Sequence, residues 1–589
     1  MSKLRSAVVW LVLYTQIWTP VLAQTLPISV DKSVPGQKPV VGVTNGVPVV
    51  NIAPPSAGGV SNNRYTQFNV GPSGVVLNNS GAASQTQLAG QVAGNPMLGN
   101  QRAATILNQV TAPNPSQLMG MLEVAGNRAN VIVANPAGIT CNGCGFLNAN
   151  RATLTTGKPV IGPDGALGFD IASGRLAIEG AGLYGANLSQ LDLMARTLEL
   201  NAQVWANNLN VVAGAARVGY DGIDVSALAG AGAGTGVALD VAALGGMYAN
   251  SIRLIGTEAG VGVNIGGNLA ALTGTLTVSA NGDVRIQPSG RLQAATNLSV
   301  QSARDIVNDG TVAAGGALGL NAAAKVINNQ AMSSAGNASI VARQLENRGA
   351  LTAGLQADGS ISPLGALSAQ VDQLLNPGTL VAGGDATITA NALGLSGGKF
   401  VAGGALRVDA TGAVTNRGGS VYGGSVALRA AGLDNTGGKL TSGAALDGQV
   451  MGAIDNTGGT LAGAGAVDLR GRSVVNAAGG VISGQSVALR GADGIDNQGD
   501  RCRPTTPCAS RRPARSTTVA ASCSAAPPTS RRPASTTAMA SPRPTPSSRS
   551  AAAARFRTSQ AASMAARSAS TRQVSPTAAA RSPAAANWT

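Results

Sequence analysis

GGSVALRAAGLDNTGGKLTSG, residues 423–443, decides the fold. Short stretches in which apolar and polar residues alternate are separated by Gly-Gly, Asp-Asn and Asn-x-Gly. Alternation is the period of a half-buried strand, and the intervening dipeptides are turn signals. The unit recurs. LDNTGG begins at Leu433, IDNTGG at Ile454 and IDNQG at Ile495. A landmark polar residue returns at Asn308, Asn328 and Asn347, and again at Ser396, Asn416, Asn435, Asn456, Asn476 and Asn497. Between the two series the count slips, with an insertion around Gln356 to Pro363 and a further landmark at Asn376. A period of about 20 residues, in three short strands, makes one coil of a parallel β-helix. Stacked coils lie about 4.8 Å apart. They bury Val, Leu, Ile and Ala in one column and let equivalent Asn side chains ladder. A leucine-rich repeat lacks its LxxLxLxxN spacing here, and helical repeats are disfavoured by the glycine content. The expected fold class is all-β, a right-handed parallel β-helix.

Residues 24–300 are also strand-like, without clean repeats. Val47 to Ile52, Asn130 to Ala134 and Leu198 to Val212 read as strands. This part is expected to be an irregular cap, since terminal coils must seal the column.

The formal charge of +15 invites a nucleic-acid reading, but it is local. From Arg501 onward there are 14 Arg and no Lys, Asp, Glu or Gly. The chain before Arg501 therefore carries 41 − 14 = 27 basic against 26 acidic residues. The tail also echoes the repeat. If a repeat of the form Leu/Ile-Asp-Asn-x-Gly-Gly is written with the codons xTC GAC AAC AGT GGC GGC, reading one base late gives Ser-Thr-Thr-Val-Ala-Ala, the sequence at residues 516–521. The spacing from Asn497 to Thr518, and from Thr518 to Thr537, matches the interval between the landmark asparagines. Residues 501–589 thus read as the same repeat in a shifted frame, too poor in apolar residues for a core and expected to be disordered. No nucleic-acid partner is expected for the body.

Residues 1–23 read as a secretory signal. Lys3 and Arg5 precede an apolar run from Ala7 to Trp18, and Val21-Leu22-Ala23 places cleavage after Ala23. The run is short for a membrane span. Cys141 and Cys144 are the only cysteines before Arg501. Without a second pair or any His, zinc is not expected. Outside the cytosol the pair is expected to close a local disulfide, with free thiols or a redox pair as alternatives. No metal, cofactor or catalytic residue is expected. Absence of His removes the commonest general base, sparse charge argues against a β-helical polysaccharide lyase or hydrolase, and the calcium-binding GGxGxDxUx nonapeptide is absent.

Several blocks resemble a known family. They are VPVVNIAPPSAGGVSNNRYTQFNV (47–70), VVLNNS (75–80), NPMLGNQRAATILNQV (95–110), AGNRANVIVANPAGITCNGCGFLNANRATLTTGKP (125–159), RVGYDGIDVSALAGAGAG (217–234) and ALGGMYANSIRLIGTEAGVGVN (243–264). Together they resemble the N-terminal secretion domain of filamentous haemagglutinin, whose family of two-partner-secretion exoproteins includes contact-dependent inhibition toxins. The match covers roughly residues 35–275, and the downstream units look like haemagglutinin repeats. The resemblance implies a secretion domain over 24–280 and repeats over 281–500. It also implies an outer-membrane TpsB-type β-barrel transporter as partner and a receptor, glycan or protein, on a host or neighbouring cell. The implied location is the surface or surroundings of a Gram-negative bacterium, reached through Sec and the periplasm.

The family's two secretion-linked motifs, NPNL and NPNGI, stand here as Asn95-Pro96-Met97-Leu98 and Asn135-Pro136-Ala137-Gly138-Ile139. Met97 and Ala137 replace the second Asn of each, which leaves the Asn-Pro turn but removes one amide. The implied function is that of a secreted adhesin. The alternative is the N-terminal part of a contact-dependent growth-inhibition protein whose toxin would lie further along.

Overall fold

The computed structural model describes residues 28–33, 35–162, 166–221, 224–232, 236–497 and 501–504. The expected signal segment, with its cleavage point at Ala23, and the tail beyond Pro504 lie outside the described residues. Every regular element within them is a strand, and 48 strands join one hydrogen-bonded sheet wound as a parallel β-solenoid.

One coil shows how sequence makes the wall. Leu298–Ser302, Ile306–Asn308 and Thr311–Ala314 are its three strands, and Leu318 then lies in register above Leu298. Alternation turns Leu298, Val300, Ile306, Val312 and Ala314 into the column, where each is buried. The turns need glycine for two separate reasons. In LDNTGG, Gly437 adopts φ +62°, a left-handed conformation that glycine takes without a Cβ clash. The following Gly438 has ordinary φ, but a Cβ there would overlap the carbonyl oxygen of Asn416 on the preceding coil.

The landmark asparagines form the expected ladder inside the column. Asn308 Nδ2 donates to Asn328 Oδ1 at 2.8 Å, Asn328 to Asn347 at 2.7 Å and Asn347 to Asn376 at 2.7 Å. A second run links Asn416, Asn435, Asn456, Asn476 and Asn497, each step 2.7 Å. The reading of Ser396 as the intervening landmark is corrected by one position. Leu375 pairs with Gly394 and Gly394 with Thr415, so Leu395 stands between Asn376 and Asn416. Leu395 is buried and Ser396 exposed. The register position is apolar, so a pattern of polar landmarks misplaces it.

The N-terminal part is the same column with additions. It begins with antiparallel pairing: Val40–Thr44 with Val47–Asn51 through an Asn45-Gly46 turn of positive φ, and Ile28–Val30 with Val60–Phe68. A four-stranded antiparallel sheet (Lys158–Ile161, Leu167–Ile171, Ala216–Gly219, Val225–Ala227) packs on the outside of one wall. Beneath it, Leu107, Ile132, Met194 and Val212 point outward from the solenoid yet are fully buried against Phe169, Val218 and Tyr220. Strands covered on both faces read as unbroken apolar runs, which accounts for VIVA at 131–134. A hairpin, Ser84–Thr86 with Gly90–Val92, covers Val49, Val76 and Ala125. Buried Glu123 anchors it by accepting from Gln87 N at 2.7 Å and Leu88 N at 2.8 Å.

Two boundaries move. Leu198 to Val212 is not one strand but parts of three, Thr197–Leu200, Gln203–Ala206 and Asn208–Ala213, with corners at Asn201 and Asn207. At the other end, Arg501–Pro504 pairs in parallel with Val481–Gly484. The ladder thus runs into the first positions of the segment expected to be disordered. A free strand edge accepts any backbone with N–H and C=O groups to offer.

Candidate functional site

The two Asn-Pro turns share one construction. Asn95 is fully buried. Its side-chain oxygen accepts from Met97 N at 3.1 Å, and its backbone carbonyl accepts from Leu98 N at 3.3 Å. Its side-chain amide donates to the carbonyls of Ile52 and Asn78, at 2.9 and 3.2 Å. Asn135, also fully buried, repeats this. Its Oδ1 accepts from Ala137 N at 2.9 Å and its carbonyl accepts from Gly138 N at 3.0 Å. Its amide donates to Asn114 O and to Ser116 Oγ, both at 2.9 Å.

The sequence dictates these turns locally. Asn caps its own backbone two residues on. Proline in the next position has a preset φ and lacks an N–H that would need a partner. At the fourth position Gly138 takes φ +124°, with the Arg175 carbonyl close by. Each turn therefore ties a chain reversal to a neighbouring coil through a buried amide. Such an amide is costly to leave unpaired.

The structure also places the residues that depart from the family pattern. Met97 and Ala137 contribute their backbone N–H to the turn, and their side chains are half-exposed. The turn thus forms without the missing second Asn. Leu98 and Ile139 are buried and Pro96 is exposed.

Cys141 and Cys144 are joined by a disulfide, with Cα atoms 5.5 Å apart, and both are buried. They bracket a corner of Ile139–Leu147 where pairing with Arg175–Gly185 skips from Asn142↔Glu179 to Cys144↔Leu183. Gly143 supplies a positive φ of 76° there. Among the described residues no group of three or more His, Cys, Asp or Glu is placed to hold a metal ion.

One buried polar cluster was not singled out from the sequence. Asp192, fully buried, accepts from Arg151 Nε at 2.6 Å, Thr153 Oγ1 at 2.9 Å, Gln190 Nε2 at 2.8 Å and Asn210 Nδ2 at 3.0 Å. Arg151 also donates to the carbonyl of Tyr220 at 2.7 Å and lies 3.9 Å over its ring. Burial pushes the Tyr220 phenol up to about 12. The cluster pins the outer sheet to the solenoid wall. Its one sequence signal is an acid inside the apolar run QLDLMA, at 190–195. A similar clamp joins Arg196 to Glu258 at 2.9 Å.

A capped parallel solenoid running without break into asparagine-laddered coils defines a class, the β-solenoid exoproteins. Comparison with known proteins agrees. Residues 27–286 match the family model of the TPS secretion domain, and residues 271–360, 365–418 and 423–500 match the haemagglutinin repeat. The crystal structure of the filamentous hemagglutinin secretion domain is 34% identical. The match spans 50% of this chain and 99% of that one, at a TM-score of 0.44. "Toxin CdiA" of Yersinia pestis is 45% identical over 295 residues, 49% of this chain and 9% of that protein. "16S rRNA endonuclease CdiA" of Enterobacter cloacae is 45% identical over 350 residues, 59% of this chain and 10% of that protein. The chain spans about a tenth of the length of these relatives. It belongs to the filamentous-haemagglutinin family of two-partner-secretion exoproteins.

Proposed function

We propose that this chain is a secreted adhesin, exported across the outer membrane by a cognate TpsB-type β-barrel transporter. The observation that carries the reading is the order of parts. A secretion domain whose two Asn-Pro turns are anchored by buried Asn95 and Asn135 precedes a uniform array of asparagine-laddered coils. Residues 1–23 would route the chain through Sec and be removed after Ala23. The transporter would read the surface organised by Asn95 and Asn135. The coils would then fold outside as a rod that carries binding surfaces away from the cell. No enzymatic role is assigned to this region.

The likeness to CdiA proteins favours a second reading, in which the same N-terminal half delivers a growth-inhibiting domain. Those relatives are named as toxins and nucleases, and this chain matches only a small share of each.

Adherence separates the two. Bacteria producing this chain with its transporter should attach to epithelial or neighbouring bacterial cells several-fold better than bacteria lacking it, without slowing their growth. Unchanged attachment would overturn the adhesin reading. Growth inhibition by the intact locus, and none by this chain alone, would support delivery.

A further inference from the structure

Solenoid walls need apolar side chains inside, not outside, yet three rings stand outward on successive coils. Tyr184 pairs with Trp205 and Trp205 with Tyr248 in the parallel register. Tyr184 is 52% exposed and Trp205 40%. Trp205 is the one tryptophan of the chain's four that falls among the described residues. The Trp205 and Tyr248 rings stack, with centroids 4.5 Å apart and planes 17° apart. The next coils place Ala270, Gln293 and Ala313 in the same column. Coil stacking therefore continues without rings and does not require these.

The rings are held by amides. Trp205 Nε1 donates to Gln203 Oε1 at 3.3 Å, and Asn268 Nδ2 donates to the Tyr248 hydroxyl at 3.2 Å. Gln203, Gly246 and Asn268 form the adjacent outward column. Gly246 has no side chain, and the Tyr248 ring leans over it. The stack thus offers fixed aromatic surface beside a Gln donor and an Asn acceptor, with no charged side chain in either column from Gln203 to Asn268 and Arg291 following Asn268 on the next coil.

We propose that Trp205 and Tyr248, with Gln203 and Asn268, form a binding ledge for a neutral saccharide. The face of each ring turned away from the stack is electron-rich and attracts the weakly positive C–H groups of a pyranose, while neighbouring amides match its hydroxyls. A site of apolar surface with a few placed polar groups is the usual recognition pattern. The rings are already ordered by stacking, so little freedom is lost on binding. The proposal does not depend on transporter recognition or on the adhesin reading.

The test uses the full chain on an array of neutral and anionic oligosaccharides, followed by calorimetric titration with the best neutral ligand, with a proline-rich peptide as competitor class. Binding to a neutral glycan should weaken at least tenfold in Trp205→Ala and in Tyr248→Ala. Tyr422→Ala, which removes an exposed tyrosine elsewhere, should leave it unchanged. Should either ring variant fail to fold, the double variant Gln203→Ala with Asn268→Ala keeps both rings and should show the same loss. Absence of neutral-glycan binding, binding to the peptide alone, or binding unchanged in the ring variants and the amide double variant would each overturn the proposal.

Discussion

The buried side-chain oxygen of Asn416 receives no hydrogen bond, because Leu395 occupies the equivalent position one coil before it. Within each run a ladder oxygen is served by the amide of the preceding Asn, while Asn308, which starts the first run, accepts from Gly310 N, so the apolar Leu395 divides the ladder in two. Asn416 is an end and Asn435 an interior rung, flanked at 2.7 Å on both sides. Replacing Asn435 by Leu strands a donor and an acceptor in the column, at about 1–3 kcal/mol each. Replacing Asn416 strands the Asn435 oxygen and loses one bond to the Lys439 carbonyl, but removes an oxygen already unpaired, whereas Asn435 also donates to the carbonyls of Gly438 and Thr460. Urea unfolding should show Asn435→Leu more destabilising than Asn416→Leu by about 1–3 kcal/mol. Equal losses would mean that the ladder adds nothing beyond burial.

The outer sheet depends on an ion pair that cannot be halved. Asp192 is fully buried and its charge is met by Arg151. Arg151→Met should cost about 3–5 kcal/mol, because an unpaired carboxylate remains inside. Proteolysis should then release the 158–171 segment before the solenoid opens. Asp192→Asn, which keeps the shape and removes the charge, should cost less.

At the N-terminal end, Asp31 accepts from Ser33 and from Thr111 Oγ1 at 2.6 Å, bonds that lower its carboxyl to about 2 from 3.8. A lowered carboxyl stabilises the fold above its unfolded value and loses that contribution as pH falls toward the folded one. Protection of the Ile28–Val30 strand from hydrogen exchange should therefore be constant from neutral pH to just above 3.8 and decline from there toward about 2. The Asp31→Asn variant should show no such decline.

The Cys141–Cys144 bridge closes a short loop, its cysteines three positions apart. In the chain-entropy account so short a loop stabilises by about 2 kcal/mol. Reduction, or Cys141→Ala with Cys144→Ala, should lower stability by about that amount and leave the parallel register intact. Loss of the fold would mean that the bridge organises the corner rather than trimming unfolded-chain freedom.

Much of this was legible. Asn308 to Asn497 announced both the coil length and the ladder, and Asn95-Pro96 and Asn135-Pro136 announced their turns, because these signals are local or strictly periodic. Leu395 was illegible as a landmark, since its place is fixed by register with Thr415 and not by residue type. The sheet over Ile132 and Met194 was illegible for another reason. The apolar run at 131–134 tells that both faces are covered, but Phe169 and Tyr220 reach it only through long-range folding. Uneven coil length also hid the N-terminal period. Ile252 pairs with Leu276, Leu276 with Leu298 and Leu298 with Leu318, so each coil is shorter than the one before until the regular interval is reached.

The most direct test of the central claim is the amount of this chain in the medium of a Gram-negative host with and without a co-expressed two-partner transporter, for the natural sequence and for Asn135→Asp. The substitution keeps the oxygen that caps Ala137 N. It replaces the donor to Asn114 O and Ser116 Oγ by a carboxylate facing a carbonyl. The account predicts export only with the transporter, and at least a tenfold fall for Asn135→Asp at equal cellular synthesis. Export without the transporter, or undiminished export of Asn135→Asp, would contradict it.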